Sequence, residues 1–123
     1  MHWEDIRDWC MQQPGVTEHF PFDEFTLVFK VYGKVFALLD VRWQEKTVNL
    51  KCDPDRALAL RATWEEIQPG YHMNKKHWNT VCVDGHLPVS LCYELLSHSY
   101  ELVRNSVSPK KRASFDASGP SAP

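Results

Sequence analysis

Residues 71–81 of this 123-residue chain concentrate side chains suited to a polyanion: Tyr71, His72, Asn74, Lys75, Lys76, His77 and Trp78 follow one another with only Met73 between them. Lysine supplies charge, asparagine and histidine supply hydrogen bonds, and tryptophan offers a flat stacking surface. Two readings fit this mixture. Either the tract contacts phosphates and bases, or Tyr71 and Trp78 anchor a loop in the core while the lysines stay solvated.

Other chemistries find less support. Cys10, Cys52, Cys82 and Cys92 are scattered without the paired spacing of a zinc site, and each falls in an apolar or alternating stretch, as reduced packing residues do. No local motif poises a thiolate, and the five glycines are isolated, so no phosphate-cradling loop is present. His72 and His77 lie five apart on a loop, and Glu4, Asp5 and Asp8 form a thin acidic face on the first helix; neither makes a metal site by itself. The expectation is no enzyme, no metal and no cofactor.

Charge is segregated along the chain. The formal total is −2, which excludes a strongly basic nucleic-acid coat, yet residues 1–25 carry −5, residues 26–52 carry +3 and residues 69–82 carry +2. Lys30, Lys34, Arg42, Lys46 and Lys51 are the further phosphate-contact candidates if they share one face. The competing reading is that lysines on strands and turns preserve solubility and discourage edge pairing.

These residues need a scaffold, and the hydrophobic pattern supplies one. Trp3, Ile6 and Cys10 at spacings of three and four predict an amphipathic helix ending at Pro14-Gly15. Val16 to Phe25 shows no period and reads as a connection with aromatic anchors. From Thr26 the period is two, with Leu27, Phe29 and Val31 on one face, and Gly33-Lys34 reverses the chain. Val35 to Val41 is nearly all apolar, like a strand covered on both sides, and Thr47 to Cys52 alternates again to complete a meander.

Asp53-Pro54 starts a helix that runs to about Thr63. Asn79 to Val83 is a further short strand closed by Asp84-Gly85. Pro88 opens the longest helix, with Leu91, Cys92, Leu95, Leu96, Ser99, Leu102 and Val103 on its core face. Ser108-Pro109 reads as a helix-start turn, and residues 113–123, rich in small residues, glycine and proline, are expected to form a disordered tail.

The run from Pro69-Gly70 through Tyr71, His72, Asn74, Lys75, Lys76, His77 and Trp78 to Val81 resembles the signature of the MmcQ/YjbR-like family of small bacterial proteins. The likeness extends in order to the first helix with Cys10 and Pro14-Gly15, to Val48-Asn49-Leu50-Lys51-Cys52 before Asp53-Pro54, to Asp84-Gly85 and to Ser99-Tyr100. It covers roughly residues 1–112. The resemblance implies one α/β domain of the α+β type: an antiparallel sheet of about five strands with N-terminal and C-terminal helices packed on it, in a CyaY-like or "double wing" arrangement. It implies DNA binding only by way of that shape, and it brings no catalytic set.

The expected function is therefore DNA binding through Lys30, Lys34, Arg42, Lys46, Lys51, His72, Asn74, Lys75, Lys76, His77 and Trp78. The alternative is a protein-binding adaptor or chaperone-like module, motivated by Phe20, Phe22 and Phe25. With no apolar run of 18 residues and no signal-peptide pattern at Met1-His2-Trp3-Glu4-Asp5, a cytoplasmic location without membrane contact is expected.

Overall fold

The computed structural model describes residues 1–118. Helix α1 (Trp3–Met11) begins at His2, whose ring Nδ1 accepts from the Glu4 N–H at 3.3 Å while the Asp5 carboxylate accepts from the His2 N–H at 2.8 Å. These two bonds satisfy N–H groups that have no partner within the helix. Ile6 and Cys10 are fully buried, as their spacing predicts.

The next segment departs from expectation. Residues 16–19 form strand β1 (Val16–His19), paired antiparallel with β2 (Thr26–Val31), so that Val16 lies opposite Val31 and His19 opposite Val28. All four β1 side chains are half-buried, so this strand leaves no alternation to read in the sequence. The rest of the expected connection is irregular, and Phe20 and Phe22 stand exposed rather than serving as anchors.

The meander follows as β2, β3 (Lys34–Asp40) and β4 (Thr47–Lys51). Its first turn is Tyr32-Gly33, one residue earlier than predicted, with φ of 48° and 82° as a two-residue hairpin turn requires. The Tyr32 ring lies on Gly15, where an added Cβ would come within 2.6 Å of it. Strand β3 is not covered on both sides. Pairing passes from Phe29–Ala37 to Lys30–Val35, so Phe36 is an extra residue in a bulge, and adjacent Phe36 and Ala37 are both fully buried. That bulge accounts for the long apolar run.

Asp53 caps α2 (Pro54–Thr63), its Oδ1 accepting from the N–H groups of Asp55 and Arg56. A short strand absent from the sequence reading, β5 (Ile67–Pro69), then precedes β6 (Trp78–Cys82). The antiparallel sheet expected at about five strands has six among the described residues, in the order β1-β2-β3-β4-β6-β5.

Helix α3 (Val89–Ser106) packs across β2, β3 and β4 and buries Leu95, Leu96, Ser99, Tyr100 and Val103. Ser108 Oγ then accepts from the Lys111 N–H at 3.2 Å at the start of α4 (Pro109–Ser118). The helix continues past residue 112, and the Phe115 ring meets Tyr32 edge-on at 5.4 Å, so residues 113–118 are not the expected disordered tail. The remainder of that tail, residues 119–123, lies outside the described residues.

Candidate nucleic-acid interface

The sheet has two unlike faces. Leu27, Phe29, Ala37, Leu39, Val48, Leu50 and Val81 join α1 and α3 in one core, so their strand neighbours point the other way. Register then lines up Val28, Leu38, Asn49, Thr80 and Gln68 as a row across the open face. Within it, Thr80 Oγ1 donates to Asn49 Oδ1 at 2.5 Å.

Because neighbouring strands are antiparallel, the candidate residues sort to two ends of this face. At the end marked by the Tyr32-Gly33 turn lie Lys30 and Lys51, with Trp78 directly opposite Lys51, whereas Lys34, paired with the core residue Val31, stands beside the same turn on the helix-covered side. Lys76 is exposed on the loop that enters β6 at Trp78. Among the described residues none of these four lysines makes an ion pair. Helix α4 reaches the same end through Phe115 and Tyr32, and its Lys110 and Lys111 are exposed.

At the opposite end the cations are already neutralised. Arg42 Nη2 lies 2.6 Å from Asp40 and the guanidinium sits 4.2 Å over the Phe25 ring, while Lys46 Nζ is 3.4 Å from Asp84. The Arg42 hydrogen bonds hold the Asp40 carboxyl below its ordinary range, and backbone N–H groups of Thr26 and Phe25 do the same for Asp23. The basic segments therefore do not form one continuous positive face.

Over the open face, between loop 20–25 of this second end and residues 71–73 of the loop that enters β6, is a cleft of about 740 Å3, lined by Leu38, Thr47 and Asn49 and by the exposed rings of Phe22 and Tyr71. Trp43, Lys46 and His72 line it with φ of 59°, 54° and 58°. Each costs about 1–2 kcal/mol outside glycine, so the loops around the cleft are held against local preference.

The signature loop is built more for shape than for display. Asn74 Oδ1 accepts from the N–H groups of Lys76 and His77, Lys75 Nζ donates to the Gly70 carbonyl at 2.9 Å, and the His77 carbonyl accepts from the Cys52 N–H. Gly70 has no room for a side chain, because a Cβ would come within 2.8 Å of Trp78 Cβ. Arg61 of α2, which sequence reasoning missed, donates Nε to Asn79 Oδ1 and Nη2 to the carbonyls of Trp78 and Lys75. Its partners lie 14–18 residues away in the chain, and no local pattern announces them.

Burial pushes the thiols of Cys10, Cys52 and Cys92 up, so none of the three offers a ready thiolate. Among the described residues no three His, Cys, Asp or Glu side chains are grouped to hold a metal ion, and no helix is long and apolar enough to cross a membrane.

Comparison with known proteins places this geometry. The YjbR family model matches residues 11–102, which include every candidate residue above. The chain belongs to the YjbR family. It is 33% identical over 108 residues to an Escherichia coli K12 protein named "Uncharacterized protein YjbR", covering 88% of this chain and 92% of that one. A Bacillus subtilis protein named "Uncharacterized protein YyaQ" is 29% identical over 115 residues, covering 82% of this chain and 97% of that one. The crystal structure of a Deinococcus radiodurans protein with the DUF419 domain superposes with a TM-score of 0.85 at 41% identity, over 92% of this chain and 86% of that one. A Pseudomonas syringae crystal structure gives 0.71 at 27% identity, over 85% and 100%. The YjbR match leaves out all of α1 but its last residue, the last turn of α3 and all of α4.

Proposed function

We propose that this YjbR-family domain binds DNA in the cytoplasm without catalysis, laying the sugar-phosphate backbone along the Tyr32-Gly33 end of the open sheet face. One observation carries the reading: Lys30, Lys51 and Lys76 gather there without ion-pair partners, with Lys34 beside the turn on the other face, whereas Arg42 and Lys46 at the other end are matched by acids. Unmatched lysines release counterions when they meet phosphates, and matched ones must first break their own pairs. The contribution of Lys75 is mainly to close its loop on Gly70.

Titration of a labelled DNA fragment at several salt concentrations tests this. Removing both Lys51 and Lys76 should lower the logarithmic salt slope by nearly two, at about 0.9 per phosphate contact, while removing both Arg42 and Lys46 leaves it in place. Absence of binding by the unaltered protein at low salt would overturn the reading. A protein-binding adaptor is the second reading, and the exposed Phe20 and Phe22 favour it. A stoichiometric protein complex that buries those two rings, formed without nucleic acid, would decide for it.

A further inference from the structure

We propose that the cleft between Phe22 and Tyr71 receives one unpaired base of single-stranded DNA, so that the protein prefers single strands to duplex; the inference rests on the phosphate-contact reading above. The rims come first. Phe22 is 75% exposed and Tyr71 is 70% exposed, and they flank a cleft of about 740 Å3, a volume in the range of small-ligand sites. Two rings bordering one opening suit a planar group between or upon them, and base stacking on aromatic side chains is the general means by which unpaired nucleotides are held.

The charge at the cleft selects what enters. Arg42 is bound by Asp40 and Lys46 by Asp84, and Asp23 and Glu45 also border the opening, so a phosphate finds no free cation there. A neutral heterocycle meets the reverse situation. Asn49 gives its Oδ1 to Thr80, and its Nδ2 has no hydrogen-bond partner among the described residues, leaving a donor on the floor beside apolar Leu38; Glu45 can accept from an exocyclic amino group.

The phosphate belonging to such a base has a place to go. Lys51 lies two residues beyond Asn49 on β4, about 7 Å along the strand, and faces the same side. Base over Asn49 and phosphate at Lys51 thus fall within the span of one nucleotide. Duplex DNA cannot use this arrangement, because paired and stacked bases present their edges and not their faces.

Fluorescence anisotropy with a labelled 12-nucleotide single strand and the duplex of the same sequence tests the inference on the full chain. The single strand should bind at least about tenfold more tightly. Phe22→Ala and Tyr71→Ala, both at exposed positions, should each weaken single-strand binding by about 5- to 150-fold, leave the salt slope unchanged and leave duplex binding unchanged. Lys51→Ala should instead weaken both and lower the slope, with thermal unfolding confirming that every variant is folded. Equal affinity for the two DNA forms, or full single-strand affinity in both aromatic variants, overturns the base site while the phosphate-contact reading stands. Failure of both DNA forms to bind at low salt overturns that reading and the base site together.

Discussion

Arg61 Nε donates to Asn79 Oδ1 at 2.7 Å, joining the last turns of α2 to the start of β6 beneath the signature loop. Asn79 is a buried polar side chain, and the same guanidinium also reaches the carbonyls of Trp78 and Lys75. One cation thus serves three acceptors, of which the Trp78 carbonyl also accepts from the Gly70 N–H. Arg61→Ala should lower the unfolding free energy by about 1–3 kcal/mol, since the buried amide loses its charged donor. Amide exchange across residues 72–77 should accelerate as well. Urea melts and exchange rates indistinguishable from the unaltered protein would show that the loop is held by other means.

Ser99 has a comparable role in the core. Its hydroxyl donates to the Phe36 carbonyl at 2.6 Å and accepts from the Lys51 N–H at 2.9 Å, so it answers two backbone groups at the bulge of β3 and the end of β4. Ser99 is fully buried, and Ser99→Ala leaves both groups dry and unpaired. A loss of about 1–3 kcal/mol is expected, larger than a surface serine would give. Chemical denaturation measures it, and a loss near zero would mean that water replaces the hydroxyl.

Much of this architecture was legible, and the exceptions share a cause. Leu27-Phe29-Val31 and Val48-Leu50 alternate because one face of each strand is buried, and the spacing of Leu95, Leu96, Ser99 and Val103 follows the core face of α3. Strand β1 escaped because its four side chains are equally half-buried, and β5 because it is three residues long. The Phe36 bulge imitates a two-sided strand. Phe115 has no helical pattern around it; its place is set by Tyr32, which is distant in sequence. For the site, the signature residues were correctly located on a loop and strand start, but their sorting into free and neutralised cations was not. Asp40 stands two residues from Arg42, and Asp84 stands 38 residues from Lys46. Charge counting by segment cannot see either pairing.

His98 should give the stability a pH dependence near neutrality. Its Nε2 accepts from the Asp53 N–H at 3.1 Å, so the ring is neutral in that bond, and partial burial followed by nearby Arg56 lowers its pKa from the ordinary 6.5. Asp53 and Glu94 also face it and pull the other way, more weakly. The unfolded chain therefore binds the proton first as pH falls, and stability declines from about pH 6.5 down to the folded pKa, then levels off for this group. Asp23, Asp40, Glu66 and Asp84 have lowered values, so their contributions are lost only at more acidic pH, as pH falls through their folded pKa values. Urea midpoints measured between pH 8 and pH 5 should thus show a slope that His98→Gln flattens. An identical slope in the variant would assign the dependence to other groups.

The four cysteines should divide three to one in native thiol labelling. Cys10, Cys52 and Cys92 are buried, the first with no exposed surface, and burial both blocks reagent and raises the thiol pKa. Cys82 is half-buried at the end of β6 on the open face, with its Sγ 3.8 Å from the Glu45 carbonyl. A thiol reagent added to folded protein should therefore modify one equivalent quickly, and Cys82→Ser should remove that phase. The other three should react only at the rate of opening or in denaturant. Fast reaction of Cys10 or Cys92 without denaturant would mean that α1 or α3 separates from the sheet readily, because these two thiols lie on the core faces of those helices.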